Sequence, residues 1–233
     1  MRQRLAAIAQ DILLPRLVGS RVMDPSPYEV DDPSVLVYRD PVGPVLVGIQ
    51  LTGVSEREFL AAYVAQALFV PTDYPVFQAV GMERRGIRRL FRDRRWLLDG
   101  HQDADVLQTL TTFVVQEGAP ILDRRAALRS FADELIGDEH ELESDPIATE
   151  QAAYAYLLAG MDRRATELLE VLITATGSGW PGETEISVDE MQVLRNRAAQ
   201  MLAYVMDDRA AALQQLDRWR QARLDNLNLG GAN

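Results

Sequence analysis

Cysteine is absent from the 233-residue chain, which excludes disulfides, cysteine-ligated zinc, iron–sulfur clusters and thiol catalysis. Lysine is absent as well, and all 24 basic residues are arginine. A GC-rich genome favours that usage, and arginine pairs with carboxylates through a bidentate fork that lysine cannot form. Histidine occurs only as His101 and His140, so no site with three histidine ligands can be built within one chain. No stretch approaches the ~20 apolar residues that cross a bilayer. The opening MRQRLAAIAQDILLPRL is broken by Gln10, Asp11 and Pro15, which a secretory leader does not tolerate. The expectation is a soluble, cytoplasmic chain that makes no membrane contact.

What is present is an ordinary globular composition, 47% hydrophobic and 25% charged, in one large or two small domains. Residues 2–18 place Leu5, Ile8, Ile12 and Leu13 at helical spacing, with Pro15 late enough to kink or shorten the helix. Residues 19–34 read as a loop. Two β-branched runs, 35–39 and 44–52, flank a Pro/Gly turn and predict a hairpin. EFLAAYVAQALFV (58–70) suits a helix by its Ala, Leu and Gln, and a buried strand by its Phe, Tyr and Val. Further short strands are expected at Ile87–Phe91 and Trp96–Leu98. From residue 103 the pattern turns helical, over 103–117, 123–137, 147–160, 162–176, 187–206 and 208–225, with Gly118 and Pro120 as a break. Ser187 and Glu190 have capping-box spacing.

Residues 151–172 bring small alanines at 152, 153, 155 and 159 against a turn at Gly160, followed by Ala165, Leu168, Leu169 and Leu172. This is a helical hairpin, with a weaker echo at 196–216. It fits either a helical repeat or a plain antiparallel bundle. The reading is an α+β chain. Residues 1–100 form the sheet region, an antiparallel meander with an N-terminal helix, and 101–233 the helical region, packed as one unit or two associated domains. Its expected core includes Leu13, Val47, Ile49, Leu51, Tyr63, Leu110, Phe113, Leu157, Leu168 and Leu202.

Charge is unevenly laid out. The formal total is −11, with 35 acids. Residues 1–122 carry 13 Arg and 15 acids, and residues 123–233 carry 11 Arg and 20 acids. Within 132–151 stand Asp133, Glu134, Asp138, Glu139, Glu141, Glu143, Asp145 and Glu150 with no Arg among them. The opposite extreme is the cluster Arg84, Arg85, Arg88, Arg89, Arg92, Arg94 and Arg95, with Phe91 inside it and Trp96 beside it. Such a cluster can grip phosphates, and its aromatics can stack on bases. It can equally pair with the acidic helices, and a chain of net −11 repels polyanions overall.

Catalytic constellations are thin. Asp138, Glu139, His140 and Glu141 are adjacent, so on a helix they would point in different directions, and no second His follows at i+4. Ser178 in GSG (177–179) lacks the strand–turn–helix setting of a nucleophile elbow. No G-x-x-x-x-G-K-[ST] phosphate loop occurs. No metal, nucleotide or organic cofactor is expected, and no catalytic residue is assigned.

Several pieces in order carry a resemblance. VGIQLTG (47–53) ends the strand pair, and EFLAAYVAQALFVP (58–71) and RRGIRRLFRDRRWLLD (84–99) follow it. EGAPILDRRAALRSFADEL (117–135) and AGMDRRATELL (159–169) complete the series. Their order resembles the bacterial domain of unknown function (DUF) 4304 family over roughly residues 1–175. The resemblance implies an α+β domain whose meander sheet leads into helices, and it makes 58–70 a strand. That family has no established activity, so no site residue is carried over, and the helices at 187–225 are an addition to its pattern.

The function these features point to is a non-catalytic interaction protein of the bacterial immunity or antitoxin kind. Its acidic surface, Asp133, Glu134, Asp138, Glu139, Glu141, Glu143 and Asp145, would meet a basic partner such as a toxin. The alternatives are a nucleic-acid-associated regulator using Arg84–Arg95 and a hydrolase centred on His140 and its neighbouring carboxylates.

Overall fold

The computed structural model describes residues 1–23, 33–71, 95–98, 100, 103–137, 146–178 and 186–229. The fold is α+β, as expected, and its contacts divide into two compact units. One comprises Met1–Gln66 with Thr72–Ala126, the other Ala67–Pro71 with Ala127–Asn233. The division therefore falls at 126/127, and the helices of 103–126 belong with the sheet rather than with the helices that follow.

The sheet unit opens with helix α1, regular over Arg2–Ala7, wider over Ile8–Leu13 and tight over Leu14–Arg16. Five strands follow: β1 (Ser20–Met23), β2 (Ser34–Arg39), β3 (Val45–Gly53), β4 (Glu58–Ala67) and β5 (Arg95–Leu97). They lie side by side in chain order. The pairings β1–β2, β2–β3 and β4–β5 are antiparallel, with Val35 opposite Leu51, Val37 opposite Ile49 and Phe59 opposite Trp96. Successive strand residues face opposite sides. The unbroken buried run Val45–Ile49 therefore requires cover on both faces, and α1 and the later helix α3 both pack against β3.

Residues 58–67 are strand, because Phe59 and Leu60 pair with Trp96 and Arg95, and sheet partners override a mixed local propensity. β1 lies where a loop is expected. It has only four residues, and only pairing with β2 reveals it. The expected strand at 87–91 lies outside the described residues.

Helix α2 (Asp103–Thr112) runs on through a wide segment, Phe113–Gly118, into α3 (Ala119–Ala126). The expected break at Gly118 and Pro120 does not occur. Both wide segments, in α1 and before α3, end two residues ahead of a proline, Pro15 and Pro120. Proline has no N–H to give, and its ring clashes with the carbonyl four residues back. A π-type turn moves that carbonyl away and lets the helix continue. The chain breaks instead at Ala127, whose backbone is extended (φ −80°, ψ 116°). The expected helix at 123–137 is thus two helices, α3 and α4 (Leu128–Ile136).

The helical unit continues with α5 (Pro146–Leu158), α6 (Asp162–Ser178), α7 (Val188–Asp207) and α8 (Arg209–Asn226). Helix α5 is buried on every side from Thr149 to Leu157 and packs against α4, α6, α7 and α8. A helix touched by four others is the centre of a bundle, and zero-exposure Ala152, Ala153 and Ala155 are what allow four neighbours to approach. The α5–α6 turn is a Schellman closure. Gly160 has φ +77°, its N–H donates to Leu157 O at 3.1 Å, and Met161 N–H donates to Tyr156 O at 2.9 Å. Arg209, first residue of α8, ties the same turn, with Nε 2.7 Å from Asp162 and Nη2 3.2 Å from Leu157 O. The expected capping box is present: Ser187 Oγ accepts from Glu190 N–H, and Ser187 N–H donates to the Glu190 carboxylate at 2.8 Å. Of the expected core residues all but Leu202 are buried. Helix α7 turns Leu194, Ala198 and Met201 inward, and Leu202, one position on, is rotated about 100° away.

Tyr63 fixes the wide turn before α3. Its ring stacks on Phe113 with centroids 5.1 Å apart, and its hydroxyl donates to Phe113 O at 3.3 Å. A Cβ on Gly118 would lie 2.4 Å from Tyr63 Cε1. In an ordinary helix, Gly→Ala stabilises by about 1 kcal/mol. Here Gly118→Ala is expected to destabilise by about 1–3 kcal/mol, because the buried ring has nowhere to go. Gly160→Ala, with open space around it, is expected to cost only the ~1–2 kcal/mol of left-handed backbone. Urea unfolding of the two variants checks both, and a stabilised Gly118→Ala would overturn the account of the turn.

Candidate functional site

Of the acidic cluster, Asp133 and Glu134 stand on α4. Asp138, Glu139, Glu141, Glu143 and Asp145 lie outside the described residues, as do His101 and His140. Arg84, Arg85, Arg88, Arg89, Arg92 and Arg94 lie outside them too, and Arg95 is described only as the backbone that opens β5 opposite Leu60. Asp133 is engaged with α5: it accepts the Tyr156 hydroxyl at 2.5 Å and lies 3.6 Å from Arg129 Nε. Burial first, then the bond to Asp133 and its charge, push the Tyr156 phenol up to about 12. Trp96, the aromatic set beside the arginine cluster, is buried and stacks on Phe59 with centroids 6.3 Å apart. It is therefore a core residue and gives no base-stacking surface.

The polar centre of the helical unit is one that sequence reasoning did not single out. Glu150 has no solvent exposure. Its Oε1 accepts from Arg197 Nε at 2.8 Å and from the Tyr154 hydroxyl at 3.0 Å, and its Oε2 accepts from Arg197 Nη2 at 2.8 Å. Arg197 stands on α7 and keeps about a quarter of its side chain in solvent. Its remaining fork nitrogen, Nη1, donates to Pro71 O at 3.3 Å. Tyr154 in turn packs on Trp219 of α8, with centroids 5.7 Å apart. The available signal was that Glu150 is the one charge in α5, PIATEQAAYAYLL. A carboxylate inside an otherwise uncharged buried helix must find a cation.

Burial raises the Glu150 carboxyl above its ordinary value, and the charge and hydrogen bonds of Arg197 and the Tyr154 bond pull it back only in part. Burial, with the Glu150 charge behind it, also holds the Tyr154 phenol well above the usual tyrosine range. An enclosed carboxylate gripped by a bidentate guanidinium has no face for a substrate, so the group is a structural pair rather than an acid–base catalyst.

Elsewhere the chemistry is sparse. An open hollow of about 340 Å³ is lined by Arg16, Thr111, Thr112, Val115 and Gln116, but both threonine hydroxyls donate to carbonyls of their own helix. GSGWPG at 177–182 spells the glycine pattern of a dinucleotide loop. It trails helix α6 rather than a strand, so it lacks the setting that makes the pattern work. Among the described residues no three His, Asp or Glu side chains are grouped to hold a metal ion, and no helix is long and apolar enough to cross a membrane. Comparison with protein-family models, with curated proteins and with solved structures finds no match.

The pair sets a pH dependence. A carboxyl whose folded pKa lies above its unfolded one keeps its proton longer in the folded chain. Its contribution is therefore fullest below the ordinary carboxylate value and is lost as pH rises through the raised one. Arg197→Met removes the main group opposing that rise. It should cost about 3–5 kcal/mol near neutral pH, with a steeper fall in stability than wild type as pH rises above the ordinary carboxylate value. The double variant Glu150→Gln/Arg197→Met leaves no buried charge and should cost less than Arg197→Met alone. Equal losses in single and double variants, measured by urea unfolding across pH, would contradict the pair.

Proposed function

We propose that the chain is a non-catalytic interaction protein of the bacterial immunity or antitoxin kind, acting in the cytoplasm, whose acidic helical unit captures a basic protein such as a toxin. The observation that carries this reading is where the charge sits relative to the fold. The sheet unit holds 15 Arg and 16 acids, whereas the helical unit holds nine Arg and 19 acids. Six of those nine arginines, Arg129, Arg163, Arg164, Arg197, Arg209 and Arg220, already lie within 4 Å of acids of their own unit. The excess is thus concentrated on one compact body, with Glu170, Asp189 and Asp207 exposed on it. A one-signed body of that kind raises the encounter rate with a basic partner. The ordered resemblance to the DUF 4304 family over residues 1–175 is compatible with this reading and adds no chemistry to it.

The test is the triple reversal of Glu139, Glu141 and Glu143 to Arg, assayed against a purified basic nuclease. Association at low salt should slow by about tenfold and its salt dependence should flatten, with the melting temperature unchanged. A destabilised variant with normal association would instead mean that the segment pairs internally with Arg84–Arg95. Nucleic-acid binding with a steep salt slope, lost on substituting Arg88, Arg89 and Arg92, would replace this reading with a regulator.

A further inference from the structure

We infer that Arg197 is a latch on residues 67–71, a releasable apolar strap that the helical unit holds closed through the guanidinium it shares with Glu150. The strap reads Ala-Leu-Phe-Val-Pro. It begins on the last residue of β4, Ala67, yet its contacts group it with α4–α8. Leu68 and Phe69 have no exposure and Val70 is 3% exposed. Residues 68–71 have no regular secondary structure, so no strand ladder holds them. At the strap's end, Pro71 O accepts from Arg197 Nη1 at 3.3 Å.

The same guanidinium spends Nε and Nη2 on Glu150, both at 2.8 Å. This fork fixes the plane of the guanidinium, and with it the direction in which Nη1 points. Glu150 is fixed in turn by the Tyr154 hydroxyl. The strap is therefore fastened by a donor whose aim is set inside the bundle. Loss of that donor leaves the α4–α8 packing in place while the strap loses its polar anchor. Opening would expose three consecutive large apolar residues, Leu68, Phe69 and Val70.

The chain has no cysteine of its own, so a single introduced thiol reports on one place. Val70→Cys, nearly isosteric, reports on the strap. Ala165→Cys, at a position of zero exposure on α6, reports on the bundle. Each is placed in the wild-type full chain and in Glu150→Gln/Arg197→Met, which removes the donor without leaving a buried charge. Labelling by a thiol reagent is followed at neutral pH. The expected result is labelling at Val70→Cys faster by about tenfold or more, the scale of one lost charge-assisted hydrogen bond, with the rate at Ala165→Cys unchanged. Arg197→Lys, which keeps the charge and loses the fork, should also accelerate Val70→Cys selectively. Rates that rise together at both positions would show general loosening of the unit and overturn the latch. An unchanged rate at Val70→Cys in both backgrounds would overturn it equally.

Discussion

Glu150 sets the terms on which the helical unit packs. A carboxylate in the middle of a helix that is buried all round is costly to leave without a cation, by about 3–5 kcal/mol when the cation alone is removed. The solution is specific: a fork from α7, a phenol one turn along α5, and an aromatic from α8 behind that phenol. Three helices are thereby tied to one group. A buried pair of this sort contributes little net stability, because desolvation offsets most of the attraction. The raised Glu150 carboxyl has the same cause. What the pair contributes is selectivity among packings. An α5 rotated by one position would bury the carboxylate away from Arg197, whereas alanine against alanine would tolerate the slip.

The sheet unit solves a different problem, that of prolines inside helices. Pro15 and Pro120 each follow a widened turn, and the second of these is locked from outside by Tyr63. Gly118 is the position where the ring approaches the helix, and no side chain fits there. Thus β4, through Tyr63, fixes the course of the α2–α3 helix. The ring cluster of Phe59, Tyr63, Trp96 and Phe113 is the core between that helix and the sheet edge. This explains why the helices of 103–126 cluster with the strands.

The long elements were legible in the sequence because their signals are local. Helical periodicity, the Ser187–Glu190 box and the Gly160 turn need only neighbouring residues to be recognised, and α5 to α8 fall within two residues of their expected ends. Three features were not legible, each for a nonlocal reason. β1 exists because β2 offers it a partner. The Gly118–Pro120 stretch continues as helix because Tyr63 accepts the widened turn. Ala127 breaks the helix although Ala-Ala-Leu carries no local stop signal. The candidate site followed the same rule. Glu150 belonged to an acid-rich window by count, but the fold leaves it no solvent exposure and pairs it with an arginine 47 positions away.

The acids of the helical unit divide by the reason for their placement. Asp162, Asp189 and Glu190 lie in first turns of helices, and Asp208 caps α8 with its side chain on Ala210 N–H. Negative charge is favoured there by the helix dipole and the open N–H groups. The Glu190 carboxyl is held below its ordinary value by its bonds from Ser187. Glu167 is clasped by Arg163 and Arg164, Asp133 takes the Tyr156 hydroxyl, and Glu150 is buried. Each of these has a local structural use that would keep it acidic with no partner at all. Apart from these, the densest run in the sequence is Asp138, Glu139, Glu141, Glu143 and Asp145, five acids in eight residues with no Arg among them. Like charges that close in sequence repel one another, and salt screens the repulsion only beyond ~8 Å at physiological strength. Self-repulsion of that kind is a cost to the compact state, which the proposed capture of a basic partner would offset.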